Sequence, residues 1–403
     1  MIPAAQSEPI YLDYQATTPT DPRVLEAMLP WFTQKFGNPG SVTHAYGREA
    51  AEAVETARAQ VAALIGAEAR EIVFTSGATE SNNLALKGAL RFGRDGRNGL
   101  VTLPTEHKCV LETARALERE GFRVTTLPVG GDGLFELSAL DRAIDDRTVL
   151  VSVMAAHNEI GVIQPIAEIG ALCRARGVLF HSDAAQAVGK MPIDVNAMGI
   201  DLLSVSGHKI YGPKGIGALY VRRRPRARLV PLIDGGGQER GLRSGTLPTP
   251  LCVGLGAAAA LAQQEMAEEA KRLTIWRQRL LAGLKTRVPE LRLNGDALRR
   301  LPGNLNLCFP GVSALDLIAA CPSLALSTGS ACTAAEVEPS YVLRALGVSD
   351  VLAQASIRIG LGRFTREAEI PEVIEALASA ARSLGVAAAR PVAISKVLEA
   401  RSP

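Results

Sequence analysis

One lysine in the sequence stands in surroundings that suit covalent chemistry. Lys209 follows a short apolar run and lies among small residues in segment 204–215, which reads SVSGHKIYGPKG. A lysine that forms a Schiff base with a carbonyl compound must lose its proton near neutral pH, and burial beside cationic groups lowers the pKa of an amine in that direction. A lysine on a solvated surface loop needs no such neighbours. The segment therefore predicts a Schiff-base lysine.

A second segment could bind a phosphate group. Residues 75–80, TSGATE, follow the apolar run Ile72–Phe74 and precede a helical pattern. Gly77, Ala78 and Thr79 would then present backbone N–H groups and a hydroxyl at a helix N-terminus, where anions are stabilised. The alternative interpretation is an ordinary Ser or Thr helix cap beside a turn of small residues.

Polar side chains also follow three further strand-like runs. Asp183 ends the run 178–183, VLFHSD, with Gln186 one turn further on, while His107 and Asn158 lie in the segments TEHK and HNEIG. A carboxylate beside a ring nitrogen raises the pKa of that nitrogen and keeps it protonated, which suits a cofactor such as pyridoxal phosphate (PLP). Taken singly, each residue is also explained as a helix cap or a satisfied structural group.

The elements that must position these residues alternate between strand-like and helical patterns. Strand-like patterns occupy seven runs, at Glu71–Phe74, Leu100–Leu103, Arg123–Val129, Thr148–Met154, Val178–Asp183, Asp201–Ser206 and Gly217–Arg224. This alternation predicts an α/β fold with a mainly parallel, helix-covered sheet of seven strands, and ligands gather at the carboxyl ends of such strands. A Gly-rich loop joins the last two runs, so we expect that pair to be antiparallel.

Length and pattern predict two domains. The chain has 403 residues with 47% hydrophobic content, enough for two cores. A long helical pattern over residues 250–288 would connect them, and strand-like pieces such as Asn304–Phe309 follow among shorter helices. We expect a large domain at 16–260 and a smaller α/β domain at 1–15 and 261–403.

Composition disfavours several classes of protein. The net charge of +3 is too small to indicate a surface that binds nucleic acid. The local basic run 222–228 is either a solvated sheet edge or a docking site for an acidic partner. The N-terminus has no export signal pattern, and the longest apolar stretch, near 253–262, is too short for a membrane span, so we expect a cytoplasmic protein. Six cysteines without a C-x-x-C pair predict neither a disulfide framework nor a zinc site.

The ordered set of motifs resembles the IscS/NifS branch of the cysteine desulfurases, which are fold-type I (class V aminotransferase) PLP enzymes. The resemblance covers most of the chain. It is carried by residues 11–14, 16–19, 36–39, 75–80, 106–108, 158–161, 183–186, 206–209, 235–240, 243–248, 330–333 and 338–341. It implies a homodimer with shared sites that acts on free L-cysteine.

The resemblance implies a role for each matching position. PLP would be attached to Lys209, with Asp183 at the ring nitrogen and His107 stacked on the ring to assist proton transfers. The other implied PLP-binding residues are Ala78, Thr79, Ser206 and His208 for the phosphate, Thr246 for the phosphate of the neighbouring subunit, and Asn158 and Gln186 for the ring oxygen. Arg358, helped by Asn158, would bind the substrate carboxylate through two parallel hydrogen bonds.

Cys332 is the cysteine that the resemblance assigns to sulfur transfer. It lies in segment 326–335, LSTGSACTAA, where small residues offer little packing, so we expect a mobile loop rather than a buried structural thiol. A persulfide on Cys332 would pass sulfur to acceptor proteins for iron–sulfur cluster assembly or tRNA thiolation. No fixed metal site is expected, only transient sharing of an iron–sulfur cluster between Cys332 and a scaffold protein.

Some positions depart from the family pattern. Gln15 stands where the family usually has a smaller polar residue, and His157 stands where it has an asparagine. Ser182, in the strand before Asp183, also departs from the pattern. None of these changes removes an implied role. The tail 391–403 lacks the aromatic-rich ending of related enzymes, which leaves the acceptor open. Selenocysteine lysis or transamination on the same PLP scaffold is the nearest alternative activity, and a PLP-free scaffold or binding protein is the alternative of another class.

Overall fold

The computed structural model describes residues 8–93, 96–328 and 338–385. Its strands are β1 Ile10–Tyr11, β2 Ile72–Thr75, β3 Gly99–Thr102, β4 Arg123–Thr126, β5 Thr148–Ser152, β6 Leu179–Asp183, β7 Leu202–Ser206, β8 Gly217–Val221, β9 Arg292–Leu293, β10 Asn304–Cys308, β11 Leu324–Ala325 and β12 Ser356–Gly360.

The α-helices in this part of the chain are α1 Pro22–Met28, α2 Pro30–Thr33, α3 Ala45–Leu64, α4 Ala78–Phe92, α5 Lys108–Arg119, α6 Leu137–Ala143, α7 Ile166–Arg176, α8 Thr249–Arg287, α9 Ala314–Ala319, α10 Tyr341–Ala345, α11 Asp350–Gln354 and α12 Glu369–Ser383. Short 3₁₀ helices occupy Ala69–Glu71, Gly207–Lys209 and Glu239–Gly241. None of the described helices is both long and apolar enough to cross a membrane.

The seven-stranded sheet of the large domain has the strand order β2-β8-β7-β6-β5-β3-β4. Neighbouring strands from β7 to β4 pair in parallel, whereas β8 is antiparallel to both β2 and β7. The predicted mainly parallel sheet and its antiparallel last pair are therefore confirmed. Because consecutive β-strand side chains point to opposite faces, Phe74 and Val101 pack into one core while Val73 and Leu100 pack into the other.

Helix α8, with 39 residues, contributes to the cores of both domains. Leu255 and Ala259 pack into the large domain, and Leu280 and Leu284 pack into the small domain. The small domain is built on the antiparallel sheet β12-β10-β9, and the predicted smaller α/β domain is confirmed. The boundary at residues 260/261 stays a prediction.

Candidate active site

The connections that follow the carboxyl ends of the large-domain strands enclose a cavity of about 500 Å³. This is where a parallel α/β sheet binds ligands. The cavity brings together side chains that follow five different strands, β2, β3, β5, β6 and β7. Among the residues that line it are Ala78, Thr79, His107, Asn158, Asp183, Gln186, Ser206, His208 and Lys209.

Lys209 lies in the 3₁₀ helix that directly follows β7. Its Nζ donates to the backbone oxygens of Gln15, at 2.6 Å, and Ala16, at 2.7 Å. Both acceptors belong to the N-terminal segment after β1, which therefore holds the amine at the cavity wall. The half-buried lysine is placed where a carbonyl group bound in the cavity could reach it.

Asp183 ends β6 and is a buried carboxylate with fixed orientation. Its Oδ2 accepts from Asn82 Nδ2 at 2.6 Å, and its Oδ1 accepts from the backbone N–H of Ala185 at 3.0 Å. Hydrogen bonds to the charged form stabilise a carboxylate, so Asp183 can offer negative charge to a ring nitrogen in the cavity.

The N-terminus of α4, which the sequence predicts to bind a phosphate, lies at one end of the cavity. Its capping residue, Gly77, has a φ of 149° and makes no side-chain cap, so N–H groups of the first turn remain available to a ligand. Nothing lies within 4 Å of the place where a Cβ of Gly77 would stand, which leaves room for close approach. Ser206 and His208 line the same cavity.

Burial favours the neutral form of both cavity histidines. His107 caps α5, and its Nδ1 accepts from the backbone N–H of Cys109 at 3.2 Å, so the ring proton lies on Nε2. Burial is the main cause that lowers the pKa of His107, with Asp183 opposing it. Burial likewise lowers the pKa of His208 to about 4, with Lys209 adding to the effect.

Arg358 does not line the cavity but contacts a residue that does. It lies on β12, pairs with Asp13 at 2.7 Å and donates to the backbone oxygen of Asn158 at 3.1 Å. Its Nε is buried and has no hydrogen-bond partner among the described residues. The planar guanidinium suits a carboxylate, and here its two terminal nitrogens are engaged by Asp13 and by the backbone of Asn158.

Besides Arg358, one described site residue lies away from the cavity of the single chain. Thr246 is exposed and does not line it. Cys332 lies outside the described residues.

The five cysteines in the described ranges are free thiols, and burial raises the pKa of every one of them, to about 12 for Cys109. Across the same ranges no His, Cys, Asp or Glu side chains are grouped as a metal site.

Two buried polar residues that were not among the predicted site residues also support the cavity. Asn82 fixes Asp183, and its spacing from Leu86 and Leu90 on the buried face of α4 could have revealed it. Glu106 precedes His107, and its Oε1 accepts from the N–H of Met154 at 2.7 Å. Burial raises the pKa of Glu106 well above its usual value.

These residues fit PLP. The uncapped helix N-terminus suits the phosphate, the buried carboxylate suits the pyridine nitrogen, and the amine of Lys209 suits the aldehyde. When bound, PLP withdraws electrons from the Cα of an attached amino acid.

Comparison with known proteins agrees with this geometry. Residues 10–373 match the family Aminotransferase class-V. The chain is 59% identical to a cysteine desulfurase IscS of Rickettsia bellii, over 92% of this chain and 90% of that protein. A solved NifS-like protein superposes with a TM-score of 0.86 at 37% identity, over 92% of this chain and 98% of that one.

A further structure, described as SspA in complex with cysteine, superposes with a TM-score of 0.78 at 40% identity, over 89% of this chain and 100% of that one. The family match spans most of the chain. The sequence identity to the Rickettsia bellii protein is also well above the level at which two proteins share a family. This chain belongs to the class V aminotransferase family of PLP-dependent enzymes.

Proposed function

We propose that this chain is a cysteine desulfurase that converts L-cysteine to L-alanine and passes the sulfur through Cys332. The observation that carries the proposal is the cavity that unites Lys209, Asp183 and the uncapped start of α4. The names of the relatives, cysteine desulfurase and NifS-like protein, support the choice of L-cysteine among the substrates open to such a site.

Each residue has a definite task in this proposal. Arg358 and Asn158 bind the substrate carboxylate, and Asp183 holds the proton on the ring nitrogen. Lys209 attaches PLP and accepts the proton from the substrate Cα at its Nζ, while neutral His107 carries a transferable proton on Nε2. Ser206, His208, Ala78 and Thr79 bind the phosphate.

Sulfur transfer balances without an added oxidant or reductant. The thiolate of Cys332 attacks the sulfur of the substrate, an S–S bond forms, and the substrate C–S bond breaks. The enzyme gains a persulfide. The carbon fragment keeps the electron pair of the C–S bond, takes a proton at Cβ and regains the Cα proton from Lys209 to become alanine. The five described thiols support Cys332 as the nucleophile because burial disfavours their thiolate forms.

A homodimer completes the proposed site. Thr246 is exposed on the single chain, as a residue that serves a neighbouring subunit must be. Large apolar side chains are exposed within residues 25–46, as expected of an interface: Leu25, Leu29, Phe32, Phe36, Val42 and Tyr46.

We place the large domain at 16–260 and the small domain at 1–15 and 261–403, with α8 shared by both cores.

The proposed acceptors are iron–sulfur scaffold proteins or the carriers of tRNA thiolation, and the IscS name of the relatives supports the first of these. Such a scaffold would share an iron–sulfur cluster with Cys332 only transiently. A cytoplasmic location is supported by the free thiols of the described cysteines, which a reducing compartment maintains.

The test is mass spectrometry of the protein after treatment with labelled L-cysteine in the absence of reductant. The expected result is one added sulfur on the peptide that contains Cys332, with one alanine released. Cys332→Ala should bind PLP and cysteine normally but release no alanine, and Cys321→Ala is the matched control. Label on another cysteine, or normal alanine release by Cys332→Ala, would contradict the proposal. Faster turnover of selenocysteine alone, or formation of a keto acid, would identify the alternative activities.

A further inference from the structure

A second lysine lies behind the cavity and is linked to Lys209 by hydrogen bonds. Lys190 belongs to the turn after β6, and its Nζ donates to Gln186 Oε1 at 2.9 Å. Gln186 Nε2 donates to the backbone oxygen of Gln15 at 2.9 Å. The same oxygen accepts from Lys209 Nζ at 2.6 Å. A continuous chain of contacts therefore runs from Lys190 to the lysine proposed to hold PLP.

The amine of Lys190 and the backbone oxygen of Gln15 together fix which way the amide of Gln186 faces. A protonated lysine has three donors and no acceptor, so only the amide oxygen can lie toward it. The NH₂ group of Gln186 must then face Gln15 and the cavity, where it can donate to an anionic oxygen. Without Lys190, this orientation would depend on the backbone oxygen of Gln15, which already accepts from Lys209.

The surroundings of Lys190 make its charge sensitive to pH. It lines an enclosed space of about 20 Å³ together with Gln15, Tyr211 and Glu269. Burial, with Lys209 and Arg358 adding to its effect and Glu269 opposing it, lowers the pKa of Lys190 to about 7. His208 faces the same charge, since Lys190 contributes to the lowered pKa of that imidazole.

We propose that Lys190 is a positioning residue that holds the NH₂ group of Gln186 toward the cavity and thereby sets the pH at which lysine-bound PLP protonates. The inference rests on the proposed PLP site but not on Cys332 or on sulfur transfer. A donor directed at the ring oxygen of PLP stabilises negative charge there, which favours loss of the cofactor's proton. Loss of that donor should therefore raise the pH at which half of the lysine-bound PLP is protonated.

The experiment is a pH titration of the visible absorbance of the PLP-loaded protein without substrate. Lys190→Met should raise the midpoint by roughly half a pH unit or more, because a modest loss of hydrogen-bond energy corresponds to a shift of that size. In a Gln186→Leu background, Lys190→Met should cause no further shift, since a residue that acts through another is not additive with it. Lys271→Met, at an exposed position of α8, is the matched control for loss of a lysine.

Lys190→Gln separates the hydrogen bond from the charge, because it keeps an N–H donor without a positive charge. It should retain a midpoint near that of the wild type. An unchanged midpoint in Lys190→Met, an equal shift in both backgrounds, or a full shift in Lys190→Gln would each overturn the role of Lys190. A protein that never acquires the absorbance of lysine-bound PLP would instead contradict the proposed function.

Discussion

The cofactor-binding and substrate-binding parts of the proposed site are built in different ways. On the large-domain side, the proposed cofactor residues follow strand ends of one sheet and are fixed within that domain, as Asn82 of α4 fixes Asp183. On the small-domain side, Arg358 reaches Asn158 from a separate sheet. The cofactor side is thus defined mainly within one domain, with Gln15 as a small-domain contact to Lys209 and Gln186, whereas the substrate side depends on how two domains meet.

Two further contacts join the small domain to this site. Ser340 Oγ donates to Glu159 Oε2 at 2.6 Å, and Tyr341 OH donates to the backbone oxygen of Glu106 at 2.8 Å. Glu159 and Glu106 are the sequence neighbours of Asn158 and His107, respectively. The domain contact is therefore made at residues adjacent to the proposed site, and its strength should affect substrate binding more than PLP binding.

The largest effect is expected from Lys209→Ala, which removes the attachment point on the cofactor side. Covalent PLP and turnover should both be lost, because attachment and the Cα base disappear together. Borohydride reduction of the wild type followed by peptide mapping should place PLP on Lys209. Lys214→Ala, at an exposed lysine that lines the same cavity, should retain the adduct. An adduct found on Lys214 would reverse the assignment.

Asp183→Asn should be the next most damaging change. The amide keeps the shape of the carboxylate but removes its charge, so we expect a loss in kcat on the order of a hundredfold or more with partial retention of PLP. Steady-state kinetics and cofactor absorbance together test this expectation. Activity near that of the wild type would show that the ring nitrogen does not depend on Asp183.

Arg358→Lys should affect the substrate side while leaving the cofactor side intact. Lysine keeps the positive charge but loses the planar fork that binds a carboxylate through two hydrogen bonds, each worth about 1.5–3 kcal/mol when charged. We expect kcat/KM for cysteine to fall roughly tenfold to a hundredfold, mainly through KM, with unchanged PLP absorbance. Arg344→Lys, in an exposed ion pair, is the control. An equal loss of PLP in the Arg358 variant would remove the distinction between the two sides.

The same contrast explains what the sequence could reveal. The strand runs, the antiparallel last pair and the cavity residues follow local patterns, because each strand end is marked by its own polar segment. The predicted runs extend beyond strands β4 and β5, which end at Thr126 and Ser152, since apolar composition alone does not show where pairing stops. The contact between Ser340 and Glu159 joins residues 181 positions apart, and no local pattern indicates such a pair.

The smallest expected effect concerns Glu159, which anchors the domain contact. Burial raises the pKa of Glu159 from 4.5 to about 7, with Ser340, Arg358 and Lys108 opposing the rise. Because the folded protein holds this proton more tightly than the unfolded chain, its contribution to stability is present below pH 4.5 and is lost as the pH rises toward 7. Each unit of such a shift corresponds to about 1.4 kcal/mol, reduced in practice by solvent and structural relaxation.

Glu159→Gln keeps a neutral side chain at every pH, so its melting temperature relative to the wild type should increase by a few degrees between about pH 5 and pH 8. Glu290→Gln, at an exposed position after α8, is the control and should show no pH-dependent difference. A constant difference across this range for Glu159→Gln would mean that the carboxyl group does not titrate there and that the domain contact is insensitive to pH.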